Sequence, residues 1–363
     1  MLKVGILGGG QLGLLFVQNA LNYPIEIHIL DPNPEASCAN FAHRFVVGDF
    51  KDEQTVLDFA KDLDIVGIEI EHVNLTALKH LKKNGKIVIP DPEVLEVIQD
   101  KGLQKEFYLK HKIPTAPIKE ENDYPLVQKL CKGGYDGKGV QILNIENQSK
   151  KWEAPSVFEQ VAAIEMELAV IIARNAEGAT AIYPVVEQVI NPNYNLLEYL
   201  LIPARIEKDV AEKAKDVALQ VVDAFDQPGI YAVELFLNKN KEIWVNETAP
   251  RVHNSGHATI ETADSSQFDM MLRVLLNLPL GSTKLKSKGA ILNIIGEDNH
   301  EGEARVEGIE ELMKIPGAAI HWYGKKITKP GRKMGHATFT AENYEDIIDQ
   351  LEKIKPILKC VTH

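Results

Sequence analysis

The stretch LVQKLCKGGYDGKGVQILNI, residues 126–145, decides the fold. It reads as an apolar strand, a loop with four glycines, and a second alternating strand. A phosphate-binding loop of the Walker type instead runs from a strand into a helix and ends in Lys-Ser or Lys-Thr. Here Lys138 is followed by Gly139 and a strand. Glycines let backbone N–H groups approach phosphate oxygens closely, and Lys129 and Lys138 add charge, so the pattern predicts a flap that closes over phosphates. An ordinary hairpin loop is the alternative.

Length and composition limit the class of protein. A chain of 363 residues should form two or three domains, and 45% hydrophobic with 25% charged residues is typical of a soluble globular protein. The net charge of −12 argues against a nucleic-acid-binding surface. Three widely spaced cysteines show no metal-ligand spacing, and no apolar run reaches the length of a membrane span. We expect a cytoplasmic protein without a signal peptide, since the chain starts directly with a strand and a glycine turn.

The pattern along the chain predicts an α/β protein, α+β overall, in three parts. Residues 1–100 alternate between strand and helix, which indicates a parallel sheet. Residues 101–280 favour strands and hairpins, with the flap near 115–157, strands at Phe158–Arg174 and Ala181–Ile190, and a helix over 207–225. Residues 281–363 carry strands at Ala290–Ile295, Ala319–Tyr323 and His336–Thr340, and a closing helix near 343–353.

The glycine turn Gly8–Gly13 has G-x-G-x-x-G spacing between a strand and a helix, and Asp31 closes the second strand. Taken literally, this predicts a dehydrogenase that binds a nicotinamide dinucleotide. The same turn can hold a substrate phosphate or ribose at a helix N-terminus, or can be a purely structural tight turn.

The segment Ile230–Glu247, IYAVELFLNKNKEIWVNE, predicts a hairpin. If Asn238 lies opposite Ile243, Glu234 falls opposite Glu247 on one face. We expect that face to hold also Ala232, Phe236, Ile243 and Val245. Two carboxylates on an apolar face repel each other unless a cation joins them, and with Asn246 adjacent the oxygen ligands suit Mg²⁺. A half-exposed sheet face is the alternative.

Two further polar segments are candidates for binding anions. In the loop 248–257, TAPRVHNSGH, Arg251 suits a transferring phosphoryl group or an anionic substrate. His253 and His257 have the spacing of a helical zinc pair, but the neighbouring proline and glycine disfavour a helix. Near the C-terminus a cationic cluster surrounds Pro330-Gly331, which indicates either a phosphate site or a solvated loop. Its members are Lys325, Lys326, Arg332, Lys333 and His336.

These pieces, in this order, resemble an ATP-grasp ligase, and more narrowly the 5-(carboxyamino)imidazole ribonucleotide synthase family, often called PurK. The likeness covers essentially the whole chain. It rests on GILGGGQLG at 5–13, KGGYDGKG at 132–139, FEQ at 158–160, VNETAPRVHNSGH at 245–257 and KPGRKMGH at 329–336. It implies an ATP-grasp fold with an N-terminal Rossmann-like pre-ATP-grasp domain, a small C-terminal β-rich domain and a homodimer.

The resemblance implies that ATP phosphorylates bicarbonate to carboxyphosphate, which then carboxylates the amine of 5-aminoimidazole ribonucleotide. ATP phosphates would be held by Lys101, Lys129 and the loop Gly133, Gly134, Tyr135, Asp136, Gly137, Lys138 and Gly139. Adenine would meet Glu159, Gln160, Val161 and Ala162, and the ribose Glu167. Mg²⁺ would be held by Glu234 and Glu247 with Asn246 beside them. The ribonucleotide would contact Gly10, Gln11, Leu12, Glu71, Arg251, His253, Asn254, Ser255, Lys325, Arg332 and Lys333. Catalytic groups would be Tyr135, Asp136, Arg251 and His253.

The chain departs from the family pattern at a few positions. His72 stands where the family commonly has Asn, and Ile190 stands where a His is frequent. Rival functions are another ATP-grasp ligase, such as a formate-dependent glycinamide ribonucleotide transformylase, a Rossmann dehydrogenase, and a catalytically silent scaffold. Because the metal carboxylates, the phosphate lysines and the flap are all retained, we expect an active enzyme.

Overall fold

The computed structural model describes residues 1–134, 139–191 and 196–362, with only the backbone of Asn191 and Leu196. The N-terminal part is a parallel sheet of order β3-β2-β1-β4-β5, as the alternating pattern predicts. Its elements are β1 Leu2–Leu7, α1 Gln11–Ala20, β2 Ile25–Asp31, β3 Arg44–Val47, α2 Glu53–Ala60, β4 Ile65–Ile68, α3 Leu75–Lys83, β5 Ile87–Ile89 and α4 Pro92–Ile98.

Local sequence explains where several of these helices begin. The side chains of Asp52 and Asn74 accept backbone N–H groups in the first turns of α2 and α3, and Pro92 opens α4 with its fixed φ. The central strands β1, β2 and β4 are buried along most of their length, which is typical of a parallel sheet covered by helices on both faces.

The flap is a separate antiparallel sheet of order β7-β6-β8, reached through a helix. The elements are α5 Lys101–Lys110, β6 Leu126–Leu130, β7 Val140–Leu143 and β8 Ser156–Gln160. The strand–glycine loop–strand prediction is therefore confirmed, since β6 and β7 pair directly on either side of the loop.

A nine-stranded sheet runs through the rest of the described chain, in the order β14-β13-β9-β11-β12-β15-β19-β17, with β10 on β9. Its first elements are β9 Ile164–Arg174, β10 Thr180–Ile182, β11 Val186–Asn191, β12 Leu196–Ile202, α6 Lys208–Phe225, β13 Gly229–Asn238, β14 Ile243–Ala249, α7 Thr259–Thr262 and α8 Gln267–Leu275. The later ones are β15 Lys288–Ile295, β16 Gly302–Glu307, α9 Ile309–Met313, β17 Ala318–Trp322, β18 Ile327–Thr328, β19 Lys333–Ala341, α10 Tyr344–Ile354 and β20 Lys359–Thr362. Pairing of β12 with β15 makes the sheet continuous across residue 280.

Two predicted strands are divided in the structure. Phe158–Arg174 separates into β8, in the flap sheet, and β9, in the large sheet. Ala181–Ile190 is interrupted around Pro184, which has no N–H to donate to a ladder. The sequence prediction also omits α5, whose apolar and polar residues do not separate clearly along the helix.

Apolar cores lie on both sides of these sheets. One joins α1 of the N-terminal part to α8 and to strands β9 and β13, so the two parts share buried surface. Another lies between α6 and the opposite face of β9, β13 and β14. None of the helices in the described ranges is long and apolar enough to cross a membrane.

Candidate active site

Four of the residues predicted to bind ATP, Lys101, Lys129, Glu159 and Asn246, lie together in a cleft between α5, the flap sheet and the β13–β14 hairpin. A small pocket at its base is lined by Lys101, Gln104, Lys105, Tyr108, Lys129, Val157, Glu159 and Asn246. Three separate parts of the chain therefore contribute polar groups to one space.

Glu234 lies opposite Glu247 in the hairpin, as the sequence predicts, but the strand register that pairs them differs from the predicted one. The turn closes one residue earlier than expected, with Leu237 rather than Asn238 opposite Ile243. A β-bulge then inserts Asn246, because Leu235 pairs with Val245 while Glu234 pairs with Glu247. The bulge restores the carboxylate pair and re-aims the side chains beside it.

The bulge corrects the predicted composition of this face. Ile243 and Val245 do not share the face of Glu234; they pair with Leu237 and Leu235 in the core beneath α6. The cause is the shifted register, since a slip of one residue moves every side chain of a strand to the opposite face. The face of Glu234 and Glu247 instead holds the pairs Ala232–Ala249 and Phe236–Trp244.

The two carboxylates have very different electrostatic environments. Burial, and then the charges of Glu247 and Glu167, raise the pKa of Glu234 to about 8. The ammonium of Lys101, which forms an ion pair with Glu247, lowers the pKa of Glu247 to about 2. Glu167 lies nearby on β9, paired with Gln188, and burial raises its pKa as well. Glu234 therefore feels the charges of two other carboxylates, while the ammonium groups of Lys101 and Lys129 both act on Glu247.

Lys129 joins the flap to the hairpin. Its Nζ lies 2.8 Å from Oε2 of Glu159 and donates to Oδ1 of Asn246 at 2.9 Å. Lys105 approaches the other oxygen of Glu159 at 2.8 Å and also donates to Thr115 Oγ1 at 3.0 Å and to the carbonyl of Ala116. Burial alone would raise the pKa of Glu159, but the two lysines hold it below its ordinary range. Glu159 is 5% exposed, and both of its carboxylate oxygens form ion pairs with these lysines.

The residues expected to contact adenine continue from Glu159 along the flap. Gln160 ends β8 and donates its backbone N–H to Pro117 at 2.8 Å, and Val161 and Ala162 form the connection to β9. Gly133 and Gly139 flank the glycine loop with φ of +82° and +79°, a region that favours glycine. Tyr135, Asp136, Gly137 and Lys138 lie outside the described residues, and Gly134 is the last described residue before them.

The loop after β14 forms the opposite side of the cleft. Arg251 Nε lies 2.8 Å from Glu71 Oε1, so the predicted contact segment of the N-terminal part is held against this loop. His253 Nδ1 lies 2.9 Å from Ser255 Oγ, and its Nε2 lies 3.7 Å from Glu234. His253 is therefore the link between the carboxylate pair and the loop.

Asn254 and Ser255 differ in their surroundings. Among the described residues, both amide atoms of Asn254 are buried without a hydrogen-bond partner. Buried amides are normally paired, so this one is suited to a polar ligand. Ser255 is fully buried and is engaged with His253.

The N-terminal glycine turn is already satisfied by the chain itself. Gly9 N–H donates to Asp31 Oδ2 at 2.7 Å, and Gly10 N–H donates to Glu69 Oε1 at 2.8 Å. Asp31 also accepts from Asn33 N–H, so it is not placed as a ribose-binding carboxylate. Both amides serve internal carboxylates, a finding that contradicts the literal dinucleotide interpretation.

Gln11 lies beside one member of the C-terminal cluster, Lys325, which also contacts the backbone of Lys333. Lys325 Nζ donates to Gln11 Oε1 at 2.9 Å and to the carbonyl of Lys333 at 2.6 Å. Arg332 donates to the carbonyl of Ile327 at 2.6 Å. Leu12 packs in the core beneath α1, which leaves only its backbone for a ligand.

His336 does not belong to this cationic cluster. It is fully buried, its Nδ1 lies 2.8 Å from Tyr323 Oη, and burial lowers its pKa well below the ordinary value. A neutral buried imidazole adds no charge to a phosphate site. The sequence prediction failed because His336 alternates inward on β19, where the preceding basic residues obscure the strand pattern.

Sequence reasoning also missed functional candidates that the fold brings in. Lys105, Gln104 and Tyr108 reach the pocket from α5, which was not predicted. Their three- and four-residue spacings are helical, and this was the available indication. Gln188, which hydrogen-bonds Glu234, comes from a strand whose pairing no local pattern reveals.

The comparisons with known proteins agree with this architecture. Residues 1–99 match the ribonucleotide synthetase pre-ATP-grasp domain, residues 99–268 the ATP-grasp domain, and residues 289–350 the phosphoribosylaminoimidazole carboxylase C-terminal domain. The fold resembles the crystal structure of N5-carboxyaminoimidazole ribonucleotide synthetase from Thermotoga maritima, with 39% identity, TM-score 0.93 and full coverage of both chains. The Aspergillus clavatus N5-carboxyaminoimidazole synthase, solved with ADP and 5-aminoimidazole ribonucleotide, has 34% identity and TM-score 0.86, with 98% of this chain and 97% of that chain covered.

Curated relatives give the same result. The N5-carboxyaminoimidazole ribonucleotide synthase of Bacillus subtilis is 32% identical over 96% of this chain and 94% of its own length. The chloroplastic phosphoribosylaminoimidazole carboxylase of Vigna aconitifolia is 36% identical over 96% of this chain, which spans only 66% of that longer protein. The chain belongs to the PurK family of N5-carboxyaminoimidazole ribonucleotide synthases, within the ATP-grasp proteins.

Proposed function

We propose that this enzyme uses ATP and bicarbonate to carboxylate 5-aminoimidazole ribonucleotide in purine biosynthesis. Bicarbonate attacks the γ-phosphorus of ATP, which gives carboxyphosphate and ADP. The amine of the ribonucleotide then attacks the carboxyl carbon, phosphate leaves, and the nitrogen loses a proton. The observation that carries the proposal is one cleft with a carboxylate pair and phosphate lysines on one side and the Arg251–Asn254 loop on the other.

The proposed roles are those that the family resemblance implies for the residues of this cleft. Lys101 and Lys129 hold the ATP phosphates beneath the loop 133–139, and the segment Glu159–Ala162 receives adenine. Glu167 binds the ribose hydroxyls. This is catalysis by positioning and charge stabilisation, in which the chain supplies no covalent intermediate.

The residues present fit a magnesium ion. Glu234, Glu247 and Asn246 supply oxygen donors side by side, and the raised pKa of Glu234 reflects burial and repulsion that a cation would relieve. In the described residues no group of three or more His, Cys, Asp and Glu side chains could hold a metal alone. Mg²⁺ usually takes its remaining ligands from phosphates and water. When bound, it would neutralise phosphate charge.

The ribonucleotide is proposed to lie between this site and the C-terminal cluster. Arg251, His253 and Asn254 face the reacting groups, together with Tyr135 and Asp136 of the flap loop. Its phosphate binds to Gln11, Lys325, Arg332 and Lys333. Glu71 and the backbone of Gly10–Leu12 lie beside the ribonucleotide, and Ser255 lies behind these contact residues. Closure of the flap excludes water from carboxyphosphate, which would otherwise hydrolyse.

We further propose three domains with boundaries at 1–100, 101–280 and 281–363, a flap over 115–157, a cytoplasmic location and a homodimer. The boundary near residue 100 is supported by the change from alternating strand–helix units to antiparallel strands. The boundary near residue 280 is supported by the matched family regions, which end at residue 268 and resume at residue 289, although one sheet crosses it. The dimer follows from the family resemblance, and the location from the three widely spaced cysteines, which suit a reducing compartment. Sedimentation at micromolar concentration would test the dimer, and a monomer would contradict it.

The deciding experiment measures ADP release while aminoimidazole ribonucleotide, bicarbonate and Mg²⁺ are each omitted in turn. Labelled bicarbonate should enter an acid-labile product only in the complete mixture. Turnover with formate and glycinamide ribonucleotide instead would favour the rival ligase. Because Asp31 and Glu69 occupy the glycine-turn amides, NADH fluorescence should not increase on mixing; an increase would revive the dehydrogenase.

A further inference from the structure

Gln267 is a fully buried amide behind the 253–257 loop, at the first position of α8. Its Oε1 accepts the backbone N–H of His253 at 2.9 Å, and its Nε2 donates to the carbonyl of the same residue at 2.7 Å. The Nε2 group also lies 3.1 Å from Nδ1 of His257. The Gln267 side chain therefore hydrogen-bonds both backbone groups of His253, an arrangement called the grip below, and it also orients His257.

The chemistry of these contacts requires an amide at position 267. Only the amide of Asn or Gln combines an acceptor oxygen with a nitrogen that donates two hydrogens, as one accepted bond and two Nε2 contacts require. His257 is almost completely buried, and burial, followed by the nearby charge of His253, lowers its pKa well below the ordinary value. A neutral His257 can accept through Nδ1, which matches the Nε2 donor of Gln267. A carboxylate at the same place could accept from His253 but could not donate to its carbonyl.

Gln267 also packs closely against Gly256 of the loop, and its own backbone is held by Thr259. A Cβ added to Gly256 would lie 2.3 Å from Oε1 of Gln267, so the glycine permits this close approach. The backbone of Gln267 is held in turn, because its N–H donates to Thr259 Oγ1 at 2.9 Å. The N-terminal end of α8 thus holds the loop from His253 to His257 from behind, in addition to the ring contacts of His257 with Phe268 and His336.

We propose that Gln267 is a positioning residue for ribonucleotide binding, which sets the direction of His253 and Asn254 without touching substrate. The inference rests on the proposed function of this loop. Backbone groups of His253 fixed by Gln267 place the imidazole between Ser255 and Glu234. The same constraint presents the unpartnered Asn254 amide at one position. Loss of the grip should misplace these groups while the ATP side of the cleft stays intact.

Gln128 offers a matched control. It is also fully buried, and its amide donates to the carbonyl of Trp152 at 2.9 Å while accepting the N–H of that residue at 3.0 Å. The same bidentate grip therefore occurs in the flap sheet, away from the 253–257 loop. Gln128→Glu imposes the same chemical change and a comparable loss of stability. A purely structural role for Gln267 predicts that the two variants behave alike toward the ribonucleotide.

The test compares Gln267→Glu with Gln128→Glu by steady-state kinetics and thermal melting. For Gln267→Glu we expect the KM for aminoimidazole ribonucleotide to rise about 10- to 100-fold, with the KM for ATP nearly unchanged. For Gln128→Glu we expect the ribonucleotide KM to stay at the wild-type value. An unchanged ribonucleotide KM in Gln267→Glu, or equal increases in both variants, overturns the inference.

A second variant covers loss of folding. Gly256→Ala should displace the Gln267 amide without altering its chemistry, so it should reproduce the rise in ribonucleotide KM. If neither Gln267→Glu nor Gly256→Ala folds, the residue is structural and the inference is wrong. Wild-type protein that releases ADP with no dependence on the ribonucleotide would instead overturn the proposed function itself, and the two failures are distinguishable.

Discussion

Replacing Glu247 by Gln removes one charge from the carboxylate pair and should abolish turnover while the fold persists. Glu247 lies opposite Glu234 across the bulged hairpin, and its side chain is 43% exposed to the cleft. The Gln side chain keeps the shape and can still accept a hydrogen bond from Lys101. What it loses is the charge that would bind a divalent ion.

The magnitude of the effect can be worked out for stability and for rate. Opposed residues of an antiparallel pair have Cβ atoms about 5 Å apart, where two charged carboxylates repel by about 1 kcal/mol in water and about 3 at an effective dielectric of 20. Below about pH 8 the proton on Glu234 removes this repulsion. Loss of the partly exposed Lys101 pair costs at most about 1 kcal/mol. The ligand-free variant should therefore melt slightly below the wild-type temperature at neutral pH, and at or above the wild-type temperature once the pH exceeds about 8. Charge stabilisation worth several kcal/mol in the transition state corresponds to at least a ~10³-fold loss in kcat.

Two measurements check this prediction. Coupled ADP release gives kcat, and melting with and without Mg²⁺ and ATP reports whether the ligand-induced stabilisation is lost. Glu242→Gln is the control, because Glu242 is exposed in the turn of the same hairpin and should change neither value. Wild-type kcat in Glu247→Gln, or unchanged stabilisation by Mg²⁺ and ATP, would refute the metal assignment.

Three further predictions concern the same cleft. The folded state keeps a proton on Glu234 that the unfolded chain releases above pH 4.5. Ligand-free wild-type protein should therefore lose stability relative to Glu234→Gln as the pH rises to about 8, and its affinity for Mg²⁺-ATP should rise over the same range. Melting temperatures that depend on pH in the same way for both proteins would contradict this. Lys333→Ala should raise the KM for the ribonucleotide about 10- to 100-fold and the KM for ATP far less, because it loses a charge-assisted hydrogen bond worth about 1.5–3 kcal/mol. Lys329→Ala is the control, because Lys329 is exposed and its loss should change neither KM. Equal effects of Lys333→Ala on both KM values would remove Lys333 from the ribonucleotide site. Lys105→Met should cost about 1.5–3 kcal/mol of unfolding free energy, because it removes one of the two ion pairs of the buried Glu159 while Lys129 keeps the other. Adding Glu159→Gln should restore part of that loss, and no restoration in urea titrations would argue against the pairing of Lys105 with Glu159.

Much of the fold could be predicted because local patterns and global topology agree. Alternating apolar strands and helices predict the parallel N-terminal sheet, and the glycine loop between strands predicts the flap. The division of 158–174 into β8 and β9 could not be predicted, because both halves are β-like and only the tertiary fold assigns them to different sheets. The helix Lys101–Lys110 was missed for a related reason: its first residues face the polar cleft, so the apolar stripe is incomplete.

The site shows the same division. The carboxylate pair follows from hairpin spacing, yet the spacing argument reached the right pair through a turn that is off by one residue and a bulge that compensates for it. No pattern in a single sequence predicts that bulge. Long-range partners such as Lys105 with Glu159, or Gln267 with His253, require the fold before their chemistry can be recognised.

The bulge also explains how one strand serves both halves of the reaction. In a regular strand Asn246 and Glu247 would point to opposite faces, and only one of them could reach the cleft. With the extra residue, Asn246 receives Lys129 of the flap while Glu247 receives Lys101 of α5. Four residues further on, the chain enters the loop that Glu71 and Gln267 hold in place. A displacement of β14 by one residue would therefore separate the flap lysine, the carboxylate pair and the ribonucleotide loop together. Restoring regular pairing by deleting Asn246 should abolish activity even in a protein that folds, because no remaining residue can replace both contacts.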